Sequence, residues 1–308
     1  MVSGVALFRR LAVVTALFAY LQIALGGLVR VSGSGLGCPD WPLCNGRPYP
    51  PANLHSIIEY SHRTVGAVTV VLIIATVVMA WIVFRQRRPR VAWLATASLI
   101  GVAGEAILGG LVVRSDLAPW LVLVHLGLAM ITLGFLLATA VMARPASSGV
   151  PDPMFRRLAA VASAATYLLL LTGSTVVASE AGNSCNSWPL CGNGFAFDFA
   201  GVNAFTMLHR GSVLVVGLLL LHVLSTAVRR WRNVDGMGMV AGTTIVVFVL
   251  QVAVGAGSAI AGGVFFDGLH VALATLVWAG ILGTALLTLP RADSEPELSN
   301  LAPDRRTA

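Results

Sequence analysis

Eight apolar stretches, each long enough to cross a lipid bilayer, constrain the fold of this chain more than any other feature. A spanning α-helix needs about 20 consecutive apolar residues. The stretches lie at residues 8–29, 56–84, 91–113, 119–142, 157–179, 204–228, 238–260 and 266–289. Only 11% of the residues are charged, against roughly 25% in soluble domains. The sequence therefore predicts an all-α membrane protein with eight transmembrane helices.

The arginines predict how the chain is oriented in the membrane. Every basic side chain is Arg, and most fall in alternate loops or at the two ends of the chain: Arg9, Arg10, Arg85, Arg87, Arg88, Arg90, Arg144, Arg156, Arg157, Arg229, Arg230, Arg232, Arg291, Arg305 and Arg306. The opposite loops hold only Arg30, Arg47 and Arg114. By the positive-inside rule, both termini are predicted to be cytoplasmic. This segregation argues against nucleic-acid binding, despite the net charge of +7.

The two ends of the chain are interpreted from their composition. The first apolar run lacks a small-residue cleavage site, so we expect a first helix rather than a cleavable signal peptide. The N-terminus does not resemble a mitochondrial transit peptide, which favours a bacterial inner membrane. Residues 291–308 are polar and contain proline, and they are predicted to form a disordered cytoplasmic tail.

The chain carries an internal repeat. The outer-loop segments 38–44 and 185–191 share a Cys-x5-Cys frame around Trp-Pro-Leu, and they start 147 positions apart at residues 38 and 185. The His-Arg pair at 62–63 recurs at 209–210, and the histidine at 125 recurs at 270. Because each copy holds four helices, the copies enter the membrane the same way and are predicted to be related by a pseudo-two-fold axis along its normal.

This repeat predicts the domain organisation. An N-terminal four-helix bundle is expected over residues 1–145 and a C-terminal one over 157–290, joined by a cytoplasmic linker at 146–156. Ionisable side chains inside a bilayer are costly, so the repeated histidines are functional candidates.

Four of the six histidines stand at matched places in the two halves. His62 and His209 lie near the outer ends of the second and sixth helices, and His125 and His270 near the outer ends of the fourth and eighth. Two histidines on different helices of one bundle suit the axial positions of one haem iron. Zinc fits less well because it usually takes four ligands in one site.

Two arginines and two histidines have less certain roles in the repeat. Arg63 and Arg210 follow paired histidines, and they would either bind haem propionates or extend to the membrane interface. His55 and His222 have no matched histidine. They are interpreted as a loop residue and a polar helix residue.

All four cysteines lie in outer loops, on the oxidising side of the membrane. Their spacing favours one disulfide within each loop, Cys38–Cys44 and Cys185–Cys191. Two roles remain open for these pairs: they stiffen lids over the haem sites, or they pass electrons as dithiols.

The two halves differ in their carboxylates. Glu59 precedes His62 by one helical turn, whereas Thr206 occupies the matching position in the second half. A carboxylate at a haem edge can transfer protons or stabilise positive charge on a substrate carbon. Glu105 is a second candidate of this kind. It is matched by Gln251, and the alternative interpretation of both residues is interhelical hydrogen bonding.

The run from Gly26 to Cys44, with Glu59-Tyr60-Ser61-His62-Arg63 and with the second-half segments Leu-His-Arg at 208–210 and Leu-His at 269–270, resembles the haem A synthase family. This resemblance covers residues 8–289, and the cysteine pairs resemble the bacterial form. It implies oxidation of the C8 methyl group of haem O to a formyl group by successive hydroxylations, giving haem A for terminal oxidases.

Carried over by position, the resemblance implies a role for each candidate. His62 and His125 would face the substrate haem, Glu59 would be the catalytic carboxylate, and His209 and His270 would ligate a resident haem b. It also implies haem O synthase and an electron carrier as partners, and it allows a homo-oligomer.

Three other functions compete with this interpretation. A bis-His dihaem electron-transfer subunit needs no asymmetric carboxylate and makes no haem product. A thiol oxidoreductase acting through Cys38 and Cys44 has no use for repeated histidines. A transporter is expected to have paired broken helices, which the sequence does not suggest.

Overall fold

The computed structural model describes residues 2–145, 149–179, 181, 184–191 and 197–290. It contains eight α-helices within these ranges: α1 Val2–Val31, α2 Leu54–Phe84, α3 Pro89–Arg114, α4 Pro119–Met142, α5 Pro153–Ala178, α6 Asn203–Arg230, α7 Met237–Ile260 and α8 Val264–Leu287. All eight are long and apolar enough to cross a membrane. The predicted eight-helix, all-α architecture is confirmed, whereas the predicted disordered tail lies outside the described residues.

Local sequence signals set where several helices begin. Proline occupies the first turn of α3, α4 and α5, where its missing N–H leaves no helical hydrogen bond unmade. The side chain of Asn53 accepts the N–H of Ser56 at the start of α2, and that of Asp152 accepts the N–H of Phe155 at the start of α5. These caps satisfy N–H groups that have no partner within the helix.

Each half closes as a ring of four helices. In the first half, α1 packs on α2, α2 on α3, α3 on α4, and α4 returns to α1; helices α5 to α8 follow the same order. Buried alanines fill many of the contacts, among them Ala12, Ala80, Ala92 and Ala95 in the first half. Small side chains let helix backbones approach closely, which is how helices associate in a lipid environment.

The two halves meet through α1, α4, α5 and α8. Trp278 of α8 belongs to a buried cluster that also contains Ile23 of α1 and Met130 of α4. Its ring lies 6.2 Å from that of Tyr167 on α5, measured between centroids. The inner helices of both rings therefore share one apolar interface.

The first outer loop folds back over the end of its bundle. A Cβ on Gly110 of α3 would lie 3.3 Å from the ring of Trp41. The turn at Asn45 and Gly46 adopts positive φ at both residues, and Asp40 accepts both of their N–H groups. The hydrogen bond from Gly46, together with that from Asn45, holds the pKa of the Asp40 carboxyl below its usual range. The loop is thus an ordered cover.

Candidate functional site

The histidine on the second helix of each half, His62 on α2 or His209 on α6, lies against a glycine of the preceding helix. A Cβ on Gly26 of α1 would be 3.0 Å from Cε1 of His62, and one on Gly173 of α5 would be 3.1 Å from Cε1 of His209. Any larger side chain there would compete with the imidazole for space. The glycines therefore make room for the two rings between helices.

The second histidine of each half is placed in the same way. A Cβ on Gly109 of α3 would be 3.7 Å from Cε1 of His125, and one on Gly255 of α7 would be 2.8 Å from Cε1 of His270. In each half, both candidate rings therefore face a glycine of the helix that precedes their own. The matched histidines of the two halves thus have matched glycine neighbours.

A hydroxyl contacts His209. Thr172 Oγ1 donates to the carbonyl of Leu169 at 2.7 Å and lies 2.9 Å from Nδ1 of His209. With its proton on that carbonyl, the hydroxyl can accept an Nδ1–H from the ring. In that tautomer Nε2 of His209 carries no proton and is able to bind a metal.

Two glutamines contact the rings of His62 and His270. Gln251 Nε2 lies 3.0 Å from Nδ1 and 3.3 Å from Nε2 of His270. In the first half, Gln22 Nε2 lies 3.3 Å from Nε2 of His62, whose Nδ1 is buried and makes no hydrogen bond within the described structure. A buried ring nitrogen without a hydrogen-bond partner favours a binding role for His62 over a purely structural one.

The donor set fits haem iron. Each half offers two imidazoles from different helices, as bis-histidine ligation requires. Within the part of the chain that the structure describes, no three His, Cys, Asp or Glu side chains gather as a metal-ion site. A four-ligand zinc site is therefore not formed by these residues, whereas two pairs of imidazoles are.

Glu59 joins α2 to the first outer loop. Its carboxylate is 5% exposed and forms an ion pair with Arg63, and it accepts the backbone N–H of Cys38 at 2.7 Å. Arg63 also donates to the carbonyls of Cys38, Asp40 and Leu43. Both side chains therefore hold the cover in place, and Glu59 remains buried beside its arginine.

The second half repeats the arginine contacts without the carboxylate. Arg210 donates to the carbonyls of Cys185, Ser187 and Pro189. Thr206, at the position of Glu59, donates to a loop carbonyl instead. Each proposed propionate partner is thus bonded to its own loop, and the asymmetry at Glu59 and Thr206 is retained in the fold.

A disulfide closes each outer loop. Cys38 is bonded to Cys44 and Cys185 to Cys191, and all four side chains are buried. Cys38 is also the residue whose N–H binds Glu59. The disulfide-closed loop and the first-half carboxylate are therefore one connected structure.

The two unmatched histidines lie elsewhere. His55 is exposed at the start of α2, with Nδ1 3.0 Å from the hydroxyl of Ser34. His222 is exposed on α6. Neither is part of the paired arrangement.

Sequence reasoning missed the glycines and Thr172. Gly26 and Gly173 stand in the same register as the repeated histidines, at positions 26 and 173, so the repeat itself held the signal. Thr172 has Leu25 at the matching position, and no sequence pattern distinguishes its hydroxyl from many others.

Comparison with known proteins supports one family. A family model described as cytochrome oxidase assembly protein matches residues 9–57 and 53–282. Proteins named heme A synthase are similar over most of the chain: 28% identity for that of Symbiobacterium thermophilum, covering 88% of this chain and 92% of the relative. The protein from Bacillus pumilus shows 28% identity over 73% and 76%, and that from Exiguobacterium sibiricum 29% over 80% and 84%.

Proposed function

Because the chain belongs to the haem A synthase family of cytochrome oxidase assembly proteins, we propose that it oxidises the C8 methyl group of haem O to a formyl group. Successive hydroxylations would give haem A for terminal oxidases. The chain is a multi-pass bacterial membrane protein. Haem O synthase and an electron carrier are the partners this reaction requires, and a homo-oligomer is compatible with it.

One observation carries the proposal. The two halves hold equivalent glycine-faced histidine pairs, yet carboxylates at Glu59 and Glu105 occur only in the first half, where the second has Thr206 and Gln251. Two equivalent electron-transfer sites would not need this difference. The difference is expected if one half performs proton chemistry and the other only exchanges electrons.

The halves therefore take different roles. The first bundle, residues 1–145, would bind the substrate haem through His62 and His125. The second, residues 157–290, would hold haem b through His209 and His270, and haem b supplies one-electron redox chemistry when bound. The repeat and the positive-inside pattern support two bundles related by a pseudo-two-fold axis, both termini cytoplasmic and the linker at 146–156 on that side.

Glu59 is the proposed catalytic carboxylate. It is held by the N–H of Cys38 and by Arg63, so its position is fixed before substrate binds. Hydroxylation of the methyl group replaces a C–H bond by a C–O bond: two electrons would pass to the electron carrier, the C–H proton would go to a base, and the carbon would carry positive charge until the oxygen of a water molecule bonds to it. A buried, pre-oriented carboxylate can accept the proton and stabilise the charge.

The first outer loop would shield this chemistry from water. Arg63 ties three of its carbonyls to α2, and Trp41 rests on α3 at Gly110. Excluding water strengthens each electrostatic contact in the site. Because Arg63 is committed to the loop, we expect any contribution to propionate binding to be secondary.

Identification of extracted haems tests the proposal. The chain is expressed in a bacterial host that makes haem O but lacks its own haem A-forming enzyme, and haems are separated by chromatography and mass spectrometry. We expect haem A together with a hydroxylated intermediate. Unchanged haem O, with two bis-histidine haem spectra in the purified protein, would instead establish the dihaem electron-transfer alternative.

A further inference from the structure

Matched histidines of the two halves have partners of different charge. Glu105 Oε2 lies 3.0 Å from Nδ1 of His125. In the second half, the amide of Gln251 lies 3.0 Å from Nδ1 of His270. The same ring nitrogen therefore faces a carboxylate in one half and a neutral amide in the other.

Glu105 has little else to interact with. Its side chain is 14% exposed, and its Oε1 makes no hydrogen bond within the described residues. Among these residues His125 is its one ion-pair partner, and Nδ1 of that ring makes no other contact with a hydrogen-bonding group in the described structure. A carboxylate inside a membrane bundle is costly to keep in this state, which points to a function exerted through His125.

Carboxylate and amide acceptors act differently on an iron-bound imidazole. A carboxylate that accepts the Nδ1–H fixes the tautomer with Nε2 toward the metal and raises the basicity of the ligand. Its negative charge also stabilises the higher oxidation state of the iron, since the interaction occurs in a low dielectric. Gln251 can present its oxygen to the ring by turning its amide, but it brings no net charge. The carboxylate nearest to His270 along α8, that of Asp267, accepts the hydroxyl of Ser258, so it adds a charge beside the ring and not a partner at Nδ1.

We propose that Glu105 is a positioning residue that acts through His125 to lower the reduction potential of iron bound in the first half relative to iron bound in the second. The inference rests on the proposed ligation of haem by the two histidine pairs. It makes the halves chemically unequal even where their iron-facing residues are the same.

Redox titration of the purified, detergent-solubilised protein tests this, with haem b loaded into both sites. Potentials are assigned by comparison with His209→Ala, which removes one ligand of the second half. In Glu105→Gln we expect the first-half potential to shift to a more positive value while the second-half potential stays unchanged. In Gln251→Glu we expect the second-half potential to become more negative. Glu105→Asp should restore part of the original potential, because it returns the charge with a shorter reach.

The outcomes separate the two levels of the argument. If the wild-type protein takes up haem without histidine ligation, the proposed function and this inference both fail. If ligation is intact but Glu105→Gln leaves the first-half potential unchanged, only the role of Glu105 fails. If Glu105→Gln does not retain haem, Gln251→Glu decides: a negative shift supports the inference, and an unchanged potential overturns it.

Discussion

Glu59 accepts the backbone N–H of Cys38 at 2.7 Å, so the carboxylate of the first bundle is attached to the first cysteine of the disulfide-closed loop. Thr206 replaces it in the second half, where the loop is held by Arg210 without a carboxylate. This contact gives Glu59 two separable properties, a hydrogen-bond acceptor for the loop and a negative charge beside the site.

Replacing Glu59 by Gln separates those properties. The amide oxygen can still accept the N–H of Cys38, and Arg63 keeps its three loop carbonyls, so the cover should stay in place. The negative charge is lost, and proton transfer by a carboxylate typically contributes about 10²–10⁴-fold in rate. We expect haem A formation to fall by that order, with haem O or a hydroxylated intermediate accumulating in extracted haems.

Glu59→Asp serves as the control, because it keeps the charge but shortens the side chain. It should retain more activity than Glu59→Gln if charge matters most. Normal haem A production by Glu59→Gln would leave the residue with a loop-holding role alone.

The main role expected of Arg63 is to stabilise the first outer loop, and substrate binding is expected to be secondary. Arg63→Gln removes a charged donor from the carbonyls of Cys38, Asp40 and Leu43, and hydrogen bonds to charged groups contribute about 1.5–3 kcal/mol each. Hydrogen exchange should accelerate in loop residues 32–53 and not in the matching loop of the second half, which contains residues 185–191. Arg210→Gln should show the reverse pattern. Loss of haem binding without faster loop exchange would favour the propionate role instead.

Hydropathy and the repeat predicted much of this architecture, because lipid imposes a length and a polarity on every span. The helix ends were less accessible: α1 extends from Val2 to Val31 beyond the apolar run at 8–29. Hydropathy marks the part of a helix that lipid surrounds, and it does not show how far backbone hydrogen bonding extends the helix beyond that part.

The sequence could nominate candidate site residues but not their contacts. The repeat singles out the four histidines, and the structure places each against a glycine of the preceding helix. The repeat could not show that Arg63 is bonded to loop carbonyls or that Thr172 contacts His209. Those contacts depend on the rotation of each helix and the path of each loop, and both are set by packing over the whole bundle.

His209 and His270 are the proposed ligands of haem b. Replacing either by Ala removes one axial nitrogen, so the low-spin spectrum of the second half should disappear in each single variant. His222→Ala is the matched control, because that residue is an exposed histidine on the same helix as His209, and its spectrum should be unchanged. Intact low-spin spectra in both ligand variants would contradict the assignment.

The glycines facing the histidines should differ in how well they tolerate alanine. A Cβ on Gly255 would come within 2.8 Å of Cε1 of His270, whereas one on Gly109 would lie 3.7 Å from Cε1 of His125. The Cβ on Gly255 is too close and must displace the ring from Gln251, while the Cβ on Gly109 makes an ordinary van der Waals contact.

Substitutions that disturb the support of a metal ligand typically weaken metal binding by about 10–100-fold. Gly255→Ala should therefore lose haem b from the second half at lower detergent or competitor concentrations, measured by the low-spin absorbance that remains. Gly109→Ala should retain first-half binding within a few-fold of the unsubstituted protein. Equal losses in both variants would mean that general helix packing, and not the distance from glycine to imidazole, controls haem retention.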